Sequence, residues 1–168
     1  IEDIAHGLSF LARWNGQTVG EYPFSVAQHS LLVENIFSEH FPQMDNPSKL
    51  FALLHDSAEY VIGDMISPLK THLGLTYEEL DEKLTVAICI RFNIPAKKIK
   101  IIKRSVKLAD KKAAWLEAIH LAGFSKKEAD SIFGKQEVTE GFETNLLPET
   151  PFFVRKKFVN RFNELYKP

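Results

Sequence analysis

The segment ALLHDSAEYVIGD, residues 52–64, constrains the fold more than any other part of the chain. Leu53, Leu54, Ala58, Val61 and Ile62 surround every face of a helix drawn through it, so it reads as buried. The same stretch carries His55, Asp56, Glu59 and Asp64. A buried carboxylate is costly unless it is paired or binds a cation. Residues three and four apart share a helical face, so His55, Asp56 and Glu59 line one narrow stripe, with Ala52 one turn earlier. The segment supplies no cation of its own: after Lys49 the next basic residue is Lys70. The polar stripe therefore needs partners from elsewhere in the fold, or a metal ion.

Helical periodicity dominates the rest of the chain, and the reading is all-α. A first helix is expected over about residues 2–13, followed by a Gly- and Pro-marked loop at 15–23. Ser25 reads as the N-cap of a helix to about Ser38. A third helix is expected from about Ser48 to Ile62, ending at Gly63. Thr76 and Glu79 form a capping-box pattern for the next helix, which ends near Pro95. A long helix follows from about Ala96 to Ala122. Ser125 and Glu128 repeat the capping box for a short helix closed by Gly134. Residues 135–150 read as an irregular loop. Pro151 then opens a last helix with Val154, Phe158, Phe162 and Leu165 on one stripe. The expectation is one domain of about six to seven helices over residues 1–168, with its motif core at about 1–115 and C-terminal helices at 116–168.

Bulk properties narrow the function. The formal net charge of -1 gives no basic excess for nucleic acid. No apolar run is long enough to span a bilayer. Cys89 is the only cysteine, which excludes a disulfide within the chain and a cysteine-based zinc site. A reducing cytoplasm is the expected location.

Two further lone ionisable residues sit on apolar faces. His29 shares a face with Val26, Leu32, Val33 and Ile36, and Asp110 with Val106, Ala113 and Ala114. With His55 and Asp56 they make a set of two histidines and two aspartates. Two neutral nitrogens and two anionic oxygens suit Mn, Fe, Co, Ni or Zn better than Mg, which prefers oxygen and water. Any one of these residues alone is more often a hydrogen-bonded core residue, a cap or an ion-pair partner than a ligand. The joint pattern is much stronger than any member.

The order His29, His55-Asp56, Asp110 resembles the H…HD…D signature of the HD-domain phosphohydrolases. SVAQHSLLV, ALLHDSAEYVIGDMISPLK, the region of VKLAD and the opening IEDIAHGLSFLARWNG resemble the small bacterial HD hydrolases that include the 5'-deoxynucleotidases. The C-terminal third carries no such motif. The resemblance implies an HD-domain helical bundle in which His29, His55, Asp56 and Asp110 bind a divalent metal. It implies that Glu59 activates water and that Asp64 assists at the attacking water or the leaving oxygen. It implies a nucleoside 5'-monophosphate substrate, a phosphate contact from Arg13 and a sugar contact from Trp14. Lys70 is a second candidate phosphate contact. A small-molecule nucleotide is then the expected partner, with no nucleic acid or membrane, and a homodimer is open. A guanosine-alarmone hydrolase is the alternative, although such enzymes resemble HDxxED and here Tyr60 follows Glu59. A non-catalytic nucleotide-binding HD domain is a further alternative, whose sign would be lost ligands; all four are present.

Overall fold

The computed structural model describes residues 1–137 and 146–167. Part of the loop expected at 135–150 therefore lies outside the described residues. Among the described residues there are nine α-helices and no strand: α1 (Glu2–Phe10), α2 (Val26–His40), α3 (Asn46–Leu53), α4 (Glu59–Ile62), α5 (Ser67–Leu73), α6 (Leu75–Arg91), α7 (Ala96–His120), α8 (Lys126–Phe133) and α9 (Pro151–Leu165). The all-α reading is what the molecule shows. No helix among the described residues is long and apolar enough to cross a membrane.

Helix α2 is the central element and packs on α7, α3, α1 and α9. Its N-cap is as the sequence predicts, with the Ser25 hydroxyl accepting from the Gln28 amide at 3.2 Å. The box at Ser125 and Glu128 also forms, and it sets α8 across the end of α7. Val154, Phe158, Phe162 and Leu165 of α9 are all buried against the core.

The helix count exceeds the six to seven expected, for two reasons. The expected helix over 48–62 is not continuous. Its last regular bond before the break is from Leu54 N–H to the Leu50 carbonyl, at 3.0 Å. Residues 54–58 then form tight turns, with Ser57 donating to Leu54 and Glu59 to Asp56, both at 3.0 Å, before α4 begins. Successive residues on a regular helix diverge by about 100°, since 3.6 make one turn. Across these turns the two side chains nevertheless converge, with His55 Nε2 3.2 Å from Asp56 Oδ2. The second reason is α5, an extra short helix with proline in its first turn. Because α5 runs directly into α6, the capping box at Thr76 and Glu79 does not form. Helix α6 starts at Leu75 behind Gly74, with no side-chain cap.

Helix α1 is shorter than expected, ending at Phe10 rather than near residue 13. Arg13 and Trp14 belong instead to an extended segment and a 3-10 turn, Trp14–Gly16. Trp14 and Asn15 both have positive φ, 56° and 50°. That conformation is strained for a residue as bulky as tryptophan, and side-chain contacts described below hold it.

Candidate metal centre

Three segments far apart in sequence bring the four predicted ligands together. His29 comes from the first turns of α2, His55 and Asp56 from the break after α3, and Asp110 from the middle of α7. The His29 Nε2 lies 3.1 Å from Asp110 Oδ1 and 3.4 Å from Asp56 Oδ2. The His55 Nε2 lies 3.2 Å from Asp56 Oδ2. Donor atoms of His29, His55 and Asp110 all fall within 4.8 Å of one another. Ligands about 2.1 Å from a common ion stand roughly 3 to 3.4 Å apart, so the separations suit a shared cation.

The hydrogen bonding of the two imidazoles carries more weight than the distances. His55 Nδ1 donates to the Ala52 carbonyl at 2.9 Å. A carbonyl only accepts, so Nδ1 holds a hydrogen, and in the neutral ring Nε2 presents its lone pair. His29 Nδ1 donates to Glu117 Oε1 at 2.5 Å, which fixes the same tautomer. Both Nε2 atoms are buried and neither makes an aligned hydrogen bond, despite the nearby carboxylates. Metal-bound histidines are oriented in this way, by a carboxylate or carbonyl on the far nitrogen. The residues present therefore fit a divalent ion. Neutral imidazoles with two aspartates would present it with two negative charges.

Without a cation the same groups hold each other's charge. Burial and the Arg13 guanidinium disfavour a charge on His29, but Glu117, Asp110 and Asp56 outweigh them and raise its pKa well above 6.5. Burial likewise works against ionisation of Asp56, yet His55 and His29 hold it well below 3.8. Asp110 is lowered against its burial by His29.

Glu117 was not singled out in the sequence, and it organises one side of the site. Its carboxylate is 0% exposed and accepts three bonds: from His29, from Arg13 Nε at 2.9 Å and from Trp14 Nε1 at 2.9 Å. Burial would raise its pKa, but Arg13 and His29 bring it down to about 2. A signal was available. Glu117 lies two helical turns beyond Asp110 in an otherwise apolar run, AAWLEAI, on the same face.

Arg13 is mostly buried between Glu117 and the centre, with Nη1 4.0 Å from Asp56 Oδ2. Glu117 takes its Nε, which leaves Nη1 turned toward Asp56. Trp14 donates its indole N–H to Glu117, and its ring packs against Phe124 and Phe133, with centroids 5.6 and 6.2 Å away. These contacts hold the strained turn and tie it, through Glu117, to His29.

Glu59 opens α4 at 3% exposure. Lys70, on α5, donates to its Oε1 at 2.9 Å, while Oε2 is buried without a hydrogen bond. Burial and the neighbouring Asp56 push the Glu59 pKa up to about 7, against the pull of Lys70. Lys70 is thus the cation that the segment around Glu59 lacks, and it reaches Glu59 rather than standing free for phosphate. Asp64 follows α4, half-buried, with its pKa raised by burial against the pull of Arg13 and Lys70.

A cavity of about 220 Å³ opens beside the centre, between α6 and α7, with His55 and Asp110 in its wall. Asp81 and Lys103 also line it, and neither was picked from the sequence.

The fold and the centre together define a helical bundle built around a two-histidine, two-aspartate cluster in which His29 is buried and the other three are partly exposed. No protein-family model matches the chain. It is 51% identical over 169 residues to the "Uncharacterized protein RCAP_rcc00048" of Rhodobacter capsulatus, a match covering 99% of this chain and 85% of that protein. The chain belongs to the same family as that protein.

Proposed function

We propose that the protein is a metal-dependent phosphohydrolase of the HD class that hydrolyses the phosphomonoester of nucleoside 5'-monophosphates. The observation that carries this reading is the pair of buried, unbonded Nε2 atoms of His29 and His55 facing Asp56 and Asp110. In this reading those four residues hold a divalent cation, with Mn, Co, Fe, Ni or Zn favoured over Mg by the nitrogen donors. Such an ion supplies positive charge to the phosphoryl oxygens and lowers the pKa of a water.

The chain's own residues do the rest. Glu59 takes a proton from the attacking water through Oε2, the oxygen that Lys70 leaves unoccupied. A base held near pH 7 suits that role. As the water oxygen bonds to phosphorus, the ester P–O bond breaks and the leaving oxygen needs a proton. In this reading Asp64, whose pKa is raised by burial, gives it. Arg13 offers its free guanidinium N–H groups to the phosphoryl oxygens, with Glu117 fixing the plane of the fork. Lys70 acts in this scheme by holding Glu59.

The test is phosphate release from a panel of ribo- and deoxynucleoside 5'-monophosphates. Metal-stripped protein would be assayed with Mn, Co, Zn or Mg restored, beside Asp56→Ala. Metal-dependent release that disappears in the variant is the expected result. Metal bound without release from any monophosphate would exclude this substrate class, and protein that takes up no metal would overturn the reading altogether.

A further inference from the structure

The four ligands are enclosed unevenly. On one side Glu117 ties down Arg13 and Trp14, and the Trp14 ring is backed by Phe124 and Phe133. On another, Lys70 closes over Glu59. The third side is the cavity between α6 and α7, where His55 and Asp110 themselves form part of the wall. A phosphoryl group held at the centre would therefore have room for its ester substituent in that direction.

The lining of the cavity has a definite chemistry. Its apolar surface comes from Phe51, Val86, Ile99 and Val106. Away from the centre its charged groups are opposed in sign and come from different helices, Asp81 and Glu82 on α6 beside Thr85, and Lys103 and Lys107 on α7. At about 220 Å³ it lies below the usual 300–1,000 Å³ of drug-sized ligand sites, so it suits one small ring system rather than an oligonucleotide. Apolar surface with an acceptor on one wall and a donor on the other matches a flat, neutral heterocycle with donors and acceptors on its edge.

We propose that this α6–α7 cavity receives the leaving group of the phosphomonoester, and that Val86, Asp81 and Lys103 are its specificity-determining residues for a nucleobase. The proposal rests on the phosphohydrolase reading above. Its test is chosen so that the two can fail separately. Val86 is 48% exposed, so Val86→Trp fills the cavity without disturbing the core. The ratio of kcat/KM for a nucleoside 5'-monophosphate to that for glycerol 3-phosphate is the quantity to measure, with KM and kcat resolved. The expected result is a fall of that ratio by about tenfold or more in Val86→Trp, carried by KM. Asp81→Asn and Lys103→Ala are expected to change the ranking of bases within the nucleotide panel. Calorimetry with the free nucleoside, which has no phosphate to reach a metal, should show weaker binding to Val86→Trp in parallel. An unchanged ratio, with nucleoside binding intact in Val86→Trp, would overturn this inference and leave the phosphohydrolase standing. Absence of metal-dependent release from every ester would overturn both.

Discussion

Two buried ionic sites lie little more than a helical turn apart on α2, and they are satisfied to different degrees. Glu34, 3% exposed, accepts from Arg161 Nε at 2.8 Å, from Arg161 Nη2 at 2.7 Å and from the Ser38 hydroxyl at 2.6 Å. The pairing joins α2 to α9 and uses both carboxylate oxygens. His29, 0% exposed, satisfies Nδ1 through Glu117 but leaves Nε2 without a bond, facing the equally unbonded Nε2 of His55. The lesson is that burial of ionisable groups does not by itself mark function. A site that only joins helices closes its hydrogen bonds, because each buried polar atom left open costs about 1–3 kcal/mol. On the proposed function, the two open nitrogens of His29 and His55 carry that cost for a metal ion.

The largest effect should come from breaking the open site. Asp56→Ala is expected to remove bound metal, as read by elemental analysis. On the proposed function it should also lower phosphate release about a thousandfold, the equivalent of several kcal/mol of lost charge stabilisation. Glu34→Ala should leave both quantities unchanged.

Glu117→Gln strikes the support of the open site. An amide oxygen cannot supply a full negative charge to three donors. Metal affinity is expected to fall about 10- to 100-fold, as for other groups that orient metal-bound histidines. Trp14 fluorescence should shift as its N–H loses the carboxylate. The stability effect has a definite pH sign. The folded-state pKa of about 2 lies below the ordinary 4.5, so the stabilisation is present above pH 4.5 and lost as pH falls through about 2. It amounts to about 3 kcal/mol near neutral pH. The gap in denaturant stability between wild type and Glu117→Gln should narrow as pH drops below 4.5.

Metal itself sharpens the comparison. Adding a fitting divalent ion at a hundred times its Kd should stabilise the protein by about 2.7 kcal/mol, seen as a rise in Tm. Asp56→Ala should show no such rise, whereas Glu34→Ala should show it in full. Glu34→Ala should in turn lower stability by about 1–3 kcal/mol in urea unfolding, since a charged hydrogen-bonding partner is lost and the partly exposed Arg161 can turn to water. The smallest effect is Ser38→Ala, about 1 kcal/mol for one hydroxyl bond, with metal binding untouched.

Much of this molecule was legible because its signals are local. The caps at Ser25 and Ser125, proline at the start of α9 and the stripe Val154, Phe158, Phe162 and Leu165 each depend on residues within a few positions of one another. The two-histidine, two-aspartate set was legible for a related reason, because each member interrupts an apolar face that local periodicity defines. The ends and breaks of elements were less so. The helix expected over 48–62 stops after Leu53 although nothing in its composition forbids continuation, and α5 displaces the capping box at Thr76.

By itself the sequence determined the all-helical class, the main helices and which ionisable residues interrupt apolar faces, because periodicity and capping act over three or four residues. Tertiary structure alone decided who meets whom. Glu117 reaches His29 across 88 positions and Arg13 across 104, Lys70 finds Glu59 from the next helix, and His55 and Asp56, in the turns at residues 54–58, meet His29 and Asp110 from two other helices. Those outcomes depend on how α2, α3 and α7 pack, and pairings over such separations leave no pattern in the local sequence that sets them.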